Sequence, residues 1–365
     1  MALEVQSSTD AASGRGLLRA SIIIVNYNAK EMLLRCIESV LRNSQSDCEV
    51  IVLDNDSSDG MADVIEARYS QVALIRSQTN LGFGAGNNLA ALRAQGRYLV
   101  FLNPDTVVEN GWLESLLAPF ETSPETGLVT AKILLADQPD LINACGNSVH
   151  LTGLALCRGL GQPRTSSSFN KMHEVDAVSG AAFAIRQEFF EALGGFDEDT
   201  FLYMEDTDLS WRARLAGSRC LCTPESIVLH HYTLRITPRK VFYQERNRYL
   251  MLLKILRWRT LFILLPAYVL AEVMTWGFVL YRDRANFKNK LQAYSWIISN
   301  WQAVLRKRRN TQALRRVRDR ELIRNTNFRV EFEVVSSGMV GRLAQIIFNP
   351  LFFILRGLAM MLIWW

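Results

Sequence analysis

YLVFLNPDTVV (Tyr98–Val108) joins an apolar run to a polar break. Tyr98, Leu99, Val100, Phe101 and Leu102 are nearly continuous in apolar character, the pattern of a strand covered on both faces. The run stops at Asn103-Pro104-Asp105, because proline has no N–H to give a sheet ladder. In open α/β sheets, ligands gather beyond the carboxyl ends of the strands. Asp105 is therefore a candidate hard oxygen ligand for a phosphate-bound cation. An ordinary Asn-Pro-Asp turn would read the same, so this stretch has to be weighed with its neighbours.

Upstream, the pattern repeats. Ile22–Val25 is a buried strand ending at Asn26-Tyr27-Asn28, followed by helical spacing at Met32, Leu33, Cys36, Ile37, Val40 and Leu41. Val50–Leu53 is a second strand with Asp54 just past its end, and Asn55–Gly60 supplies a loop and a helix cap. Val72–Ile75 is a third, running into NLGFGAGNNLA, a glycine-rich turn that opens a helix. This alternation predicts an α/β fold, a doubly wound and mostly parallel Rossmann-like sheet with flanking helices. Gly82, Gly84 and Gly86 also admit a dinucleotide site, but they follow the third strand rather than the first.

Composition agrees with a globular chain: 365 residues, 49% hydrophobic and 21% charged. The net charge of +5 is unevenly spread, with the basic excess after Arg282. Six cysteines show no zinc-ligand spacing and predict free thiols in a reducing compartment. Residues 1–19 read as a flexible polar leader without a signal-peptide core, so export is not expected.

From Thr130 to Lys171 the pattern weakens, and an irregular insert or sheet edge is expected. Ala177–Ile185 reads as a small-residue strand in which Gly180 and Ala181 let a ligand approach the backbone. Phe189, Phe190 and Leu193 form a helix closed by Gly194-Gly195. Glu205, Asp206 and Asp208 open another helix, a placement the helix dipole alone would favour. Cys220–Thr223 and Ile227–Leu229 then lead to His230-His231. A strand-end aspartate, a second acidic cluster from a distant loop and a histidine pair suit sugar transfer from a nucleotide donor. The leaving diphosphate needs charge neutralisation, and the acceptor hydroxyl needs a carboxylate base on the opposite side of the anomeric carbon.

The segments IIIVNYN, VIVLDNDSSDG, NLGFGAGNN, YLVFLNPD, SGAAFAIR, GGFDEDTFLYMEDTDLSWR and YQERNR together resemble an inverting glycosyltransferase of family 2 with a GT-A fold. The resemblance is to bacterial rhamnosyltransferase-like members and covers roughly Ser21 to Leu250. It implies that Val25, Asn26, Tyr27, Asp54, Asn80, Gly84, Asn87 and Asn103 bind the nucleotide-sugar donor. It further implies that Asp206 is the catalytic base, and that Asp105 with His230 or His231 holds Mn²⁺ or Mg²⁺. Position 103 is Asn where the family's metal motif has Asp, which leaves one charged ligand there. Gly180, Ala181, Glu205 and Arg246 are candidates for acceptor or phosphate contacts; for Arg246 a solvated helical face is the competing reading.

The implied boundaries are a leader at 1–19, a GT-A domain at 20–256 and a helical, membrane-associating region at 257–365. Leu261–Tyr281 approaches the length of a membrane span but carries Glu272, so an interfacial hairpin competes with a span. Leu343–Trp365 is a second apolar segment, suited to an anchor or an oligomer contact. Interfacial tryptophans beside Arg306–Arg309 suit the anionic cytoplasmic face of the inner membrane, and no reading module for nucleic acid accompanies them. The expected partners are a nucleotide-diphosphate sugar, a saccharide or polyprenyl-linked acceptor, and a membrane surface, with a homo-oligomer left open. A catalytically silent nucleotide-sugar-binding or scaffold protein is the alternative; Asp54, Asp105 and Asp206 speak against it.

Overall fold

The computed structural model describes residues 18–232, 238–282, 284–330 and 339–365. Its first half alternates as the sequence predicts: β1 (Leu18–Asn26), α1 (Glu31–Asn43), β2 (Cys48–Asn55), α2 (Met61–Arg68), β3 (Val72–Ser77), α3 (Gly82–Ala91) and β4 (Gly96–Leu102). Leu18 and Arg19 belong to β1 rather than to the leader, the rest of which lies outside the described residues. Then come β5 (Thr106–Val108), α4 (Trp112–Thr122), β6 (Thr126–Leu135), β7 (Gln138–Ala144), β8 (Asn147–Val149), β9 (Ala155–Cys157), β10 (His173–Glu174), β11 (Ala182–Arg186), α5 (Gln187–Ala192), α6 (Glu205–Leu215) and β12 (Arg219–His230).

The main sheet has the order β10-β12-β6-β11-β4-β1-β2-β3, with β5 on β12 and β7 on β6. Strands β3, β2, β1 and β4 run parallel, so Asn26, Asp54 and the end of β4 fall along one edge. The other half is mixed, because β11 is antiparallel to both β4 and β6. Apolar side chains from the two faces of β1, β2 and β4 build two separate cores, which is why these strands are apolar throughout.

Two expectations are corrected here. The segment after Thr126 is not peripheral: β6 lies between β11 and β12 and is almost wholly buried. Its polar residues hid it, yet each has a distant partner. Thr130 donates to the Ala182 carbonyl at 2.9 Å, and the buried Lys132 ammonium donates to the Arg164 carbonyl at 2.5 Å and the Asn170 amide oxygen at 2.9 Å. The second correction is at Ala177–Ala181, which stands off the β11 ladder; Ala177 bridges to Asn147 instead. All six cysteines are free, and Cys36, Cys145, Cys220 and Cys222 are buried.

The remaining described residues are mainly helical: α7 (Pro238–Ile255), α8 (Trp258–Ile263), α9 (Leu265–Arg282), α10 (Phe287–Ser299), α11 (Trp301–Ala313), α12 (Asp319–Arg324) and α13 (Met339–Leu362). Helices α10 and α11 pack on α7, and α13 packs along α9. One apolar cluster joins Met204, Trp211 and Leu215 to Met251, Ile255, Leu264, Ala271, Leu322 and Phe352. Glu272 does not break the outer face of α9. Its carboxylate turns inward to Arg248 at 2.6 Å and Lys290 at 3.0 Å, and accepts from the Tyr249 and Tyr294 hydroxyls. What α9 and α13 expose is mostly apolar, Arg342 apart: Val269, Val273, Ile346, Ile354 and Leu358 among others, with a shallow groove between the helices lined by Pro266, Val273, Leu351 and Ile354. Among the described residues, Gly341–Leu362 is long and apolar enough to cross a bilayer.

Candidate active site

Parallel register sets Asn26 beside Asp54 at the strand ends. The Asn26 amide donates to Asp54 Oδ1 at 3.1 Å and to Ser57 Oγ at 3.0 Å, which fixes the buried carboxylate against the β2 loop. Tyr27, the next residue, is 54% exposed and leaves its ring free at this edge. Val25 is buried behind it. The glycine turn is held by asparagines: Asn80 Oδ1 accepts from Gly82 N at 2.9 Å, and Asn55 donates to Asn80 Oδ1 and to the Gly82 carbonyl. Gly82 is at φ 80°, and a Cβ there would stand 2.3 Å from the Phe201 carbonyl oxygen, so no other residue fits. Gly84 and Asn87, grouped with the donor contacts above, are turned inward instead. Gly84 faces Phe196, and Asn87 donates to the Phe83 carbonyl within α3.

On the cation side, β5 pairs antiparallel with β12 and brings His230 opposite Thr106, next to Asp105. His230 Nε2 lies 3.3 Å from Asp105 Oδ1, while His230 Nδ1 is 2.9 Å from Asn143 Oδ1. His231 turns to the opposite side, 3.6 Å from the exposed Asp137, and reaches Asp105 only through its backbone N–H. Asp105 Oδ1 is buried without a hydrogen-bond partner. A buried carboxylate oxygen facing an imidazole nitrogen, with nothing else to satisfy it, fits a divalent cation. Among the described residues there is no group of three His, Cys, Asp or Glu that would complete such a shell, so phosphate oxygens would have to complete it.

The base side is joined to this edge by two consecutive residues. Gly180 N donates to Asp206 Oδ2 at 2.8 Å, and the Ala181 carbonyl accepts from Asn103 N at 2.9 Å. A Cβ at position 180 would come within 3.2 Å of the Asp206 carboxylate, which suits glycine to this contact. Asp206 is thus tied through Gly180 and Ala181 to Asn103, which directly follows β4 and lies two residues before Asp105. Burial pushes its carboxyl above the ordinary range, against the N–H donors of Gly180 and Thr207. Neighbouring Glu205 is buried with Oε2 unpartnered; burial first, then the Asp206 charge, push it up to about 8. Asp208 plays no part in this edge, being paired at 2.8 Å with Arg212 and at 2.7 Å with Lys254.

Arg246 is not a solvated side chain. It is buried, and its guanidinium donates to the Asp199 and Thr200 carbonyls. Two residues with no motif to announce them complete the site: Asn143, which orients His230, and Asn147, whose amide lies 3.3 Å from Asp206 Oδ2. Their only sequence signal is an asparagine next to a buried apolar residue or a turn glycine.

Residues 21–194 match the sequence profile described as Glycosyl transferase family 2. The chain is 29% identical over 231 residues to the O-antigen biosynthesis protein RfbC of Myxococcus xanthus, covering 60% of this chain and 18% of that protein. It is 27% identical over 238 residues to the N-acetylglucosaminyl-diphospho-decaprenol L-rhamnosyltransferase of Mycobacterium tuberculosis, covering 58% of this chain and 75% of that one. Among solved structures, GalNAc-T7 with UDP, GalNAc and Mn²⁺ superposes at a TM-score of 0.54 and 20% identity, over 66% of this chain and 48% of its own. That likeness speaks to the fold, which is GT-A with an added helical region.

Proposed function

We propose that this chain, a glycosyl transferase family 2 member over residues 21–194, moves a sugar with inversion from a nucleotide-diphosphate donor to a saccharide hydroxyl. The donor sugar is rhamnose or a hexose, and the acceptor is a saccharide or lipid-linked saccharide in cell-surface polysaccharide assembly. The observation that supports this reading is the Gly180-Ala181 link, which ties the Asp206 carboxylate to the backbone two residues before Asp105. The names of the Myxococcus and Mycobacterium relatives support the acceptor class.

In this mechanism Tyr27, Asn26 and Asp54 receive the nucleoside, and the Asn80-supported turn receives the donor beyond it. Asp206 Oδ accepts the proton of the acceptor hydroxyl as its oxygen attacks the anomeric carbon. One C–O bond forms, the bond to the diphosphate breaks with its electron pair, and the proton leaves Asp206 to solvent after product release. A Mn²⁺ or Mg²⁺ held by Asp105 and His230, when bound, would neutralise charge developing on the leaving diphosphate. Gly180 and Asn147 keep the Asp206 carboxylate aimed at the cleft.

Residues 20–256 would form the catalytic domain, and 257–365 would seat it on the cytoplasmic face of the inner membrane. The largely apolar outer faces of α9 and α13 support that placement. The test is a donor screen that reads nucleoside diphosphate release with several nucleotide sugars and a prenyl-linked saccharide acceptor. Release that depends on acceptor and on Asp206 supports the reading; no release with any donor sinks it.

A further inference from the structure

The backbone just before α6 adopts an unusual conformation. Phe201, Tyr203 and Met204 have φ of 57°, 67° and 72°, and none is glycine. Such backbone persists only where its surroundings over-determine it. Here the constraint comes from two adjacent residues of α7. The Asn247 amide nitrogen donates to the carbonyls of Thr200 at 2.9 Å, Leu202 at 3.1 Å and Tyr203 at 2.7 Å, two N–H groups shared among three acceptors. Asn247 Oδ1 in turn accepts from Arg246 Nε at 2.9 Å. Arg246 adds its own bonds to Asp199 and Thr200, and its guanidinium lies over the rings of Tyr243 at 5.0 Å and of Trp296, from α10, at 4.7 Å.

The held loop touches both halves of the candidate site. At one end the Phe201 carbonyl accepts from Phe83 N at 2.7 Å and sits against Gly82, so it fixes the glycine turn. Its ring stacks on Tyr243 at 5.2 Å. At the other end Met204 caps α6 and delivers Glu205 and Asp206.

We infer that Arg246 and Asn247 are positioning residues whose grip on residues 199–204 sets the donor-side turn and the base side together, from a helix that belongs to neither. The inference deepens the transferase reading and rests on it for what turnover means.

The test uses the full-length protein carrying Asn247→Ala, with Arg246→Lys as a milder variant that keeps the charge and loses the planar fork. Hydrogen exchange should quicken by about tenfold or more in peptides covering 82–88 and 199–206, while β1–β4 stay protected. Turnover should fall by about 10- to 100-fold, as small misplacements of reacting groups do. Nucleoside diphosphate affinity should weaken in the same variant. At saturating donor, where the weakened affinity no longer counts, Asn247→Ala in an Asp206→Asn background should cost less than about threefold more, since a base already lost cannot be misplaced. Unchanged exchange at 82–88, or losses that multiply fully in the double variant, would overturn the inference. A wild-type protein that turns over no donor sinks the transferase reading alone, and the exchange result still judges the clamp.

Discussion

His230 Nε2 faces Asp105 Oδ1 across 3.3 Å, with Asn143 behind the imidazole at 2.9 Å from Nδ1. When Nδ1–H donates to the Asn143 oxygen, Nε2 turns a lone pair toward a carboxylate. Two electron-rich atoms in that position suit a cation, and an oxygen behind the far nitrogen is how metal-binding histidines are usually oriented.

Asp105→Ala and His230→Ala should each weaken nucleoside diphosphate binding by about tenfold or more in Mn²⁺ and little in EDTA. His231→Ala, on the opposite side of the strand, should stay within about twofold. Titration calorimetry with and without chelator measures this. A loss for Asp105→Ala that is equal in EDTA would leave the residue a structural role only.

Asp206→Asn should lower turnover by about 10²–10⁴ while nucleotide affinity changes little, the effect of removing a general base without disturbing the donor site. Product release measured under single-turnover conditions gives the comparison. Turnover equal to wild type would remove Asp206 from the mechanism.

Glu205 makes stability depend on pH. Its folded carboxyl is raised to about 8 by burial, so between the unfolded value near 4.5 and 8 the folded state holds a proton that the unfolded state has released. Stability therefore falls as pH rises through that window. Glu205→Gln, which cannot ionise, should be little changed in Tm at pH 4.5 and gain about 5 °C or more by pH 8 in ligand-free protein. Equal shifts at both pH values would show that the carboxyl is not held neutral.

Arg248→Met should destabilise the fold by about 3–5 kcal/mol, because it leaves Glu245 and Glu272 with Lys290 as their one remaining cation. Urea unfolding measures the change. Adding Glu272→Gln, which leaves Glu245 paired with Lys290, should recover much of it, and a double variant no more stable than Arg248→Met would argue that lost packing rather than stranded charge is responsible.

Full-length protein should float with vesicles containing anionic lipid, and Ile346→Glu with Ile354→Glu should abolish flotation without lowering Tm, since both side chains are exposed. Wild-type protein left behind in the dense fraction would end the membrane proposal.

The sequence made the strand-end residues readable because a parallel strand buried on both faces has only one place to put polar groups. Asn26, Asp54 and Asp105 follow from that alone. Which of His230 and His231 faces Asp105 was not readable, since the register that brings the end of β12 beside Asp105 is set by β5, a partner distant in sequence. Strand β6 was hidden for a related reason: Thr130 and Lys132 look like surface residues until the carbonyls of Ala182 and Arg164 arrive to satisfy them. Arg246 misled in the same way, as a cation whose acceptors are backbone oxygens carries no sign of them in its own helix.

Trp211 on the helix of the proposed base and Phe352 near the carboxyl end of the chain lie in one apolar cluster. The tail is therefore no detachable address label. Grafting a foreign anchor after α7 would strip Trp211, Leu215 and Ile255 of their cover, and the hybrid would precipitate for reasons unrelated to where it was sent.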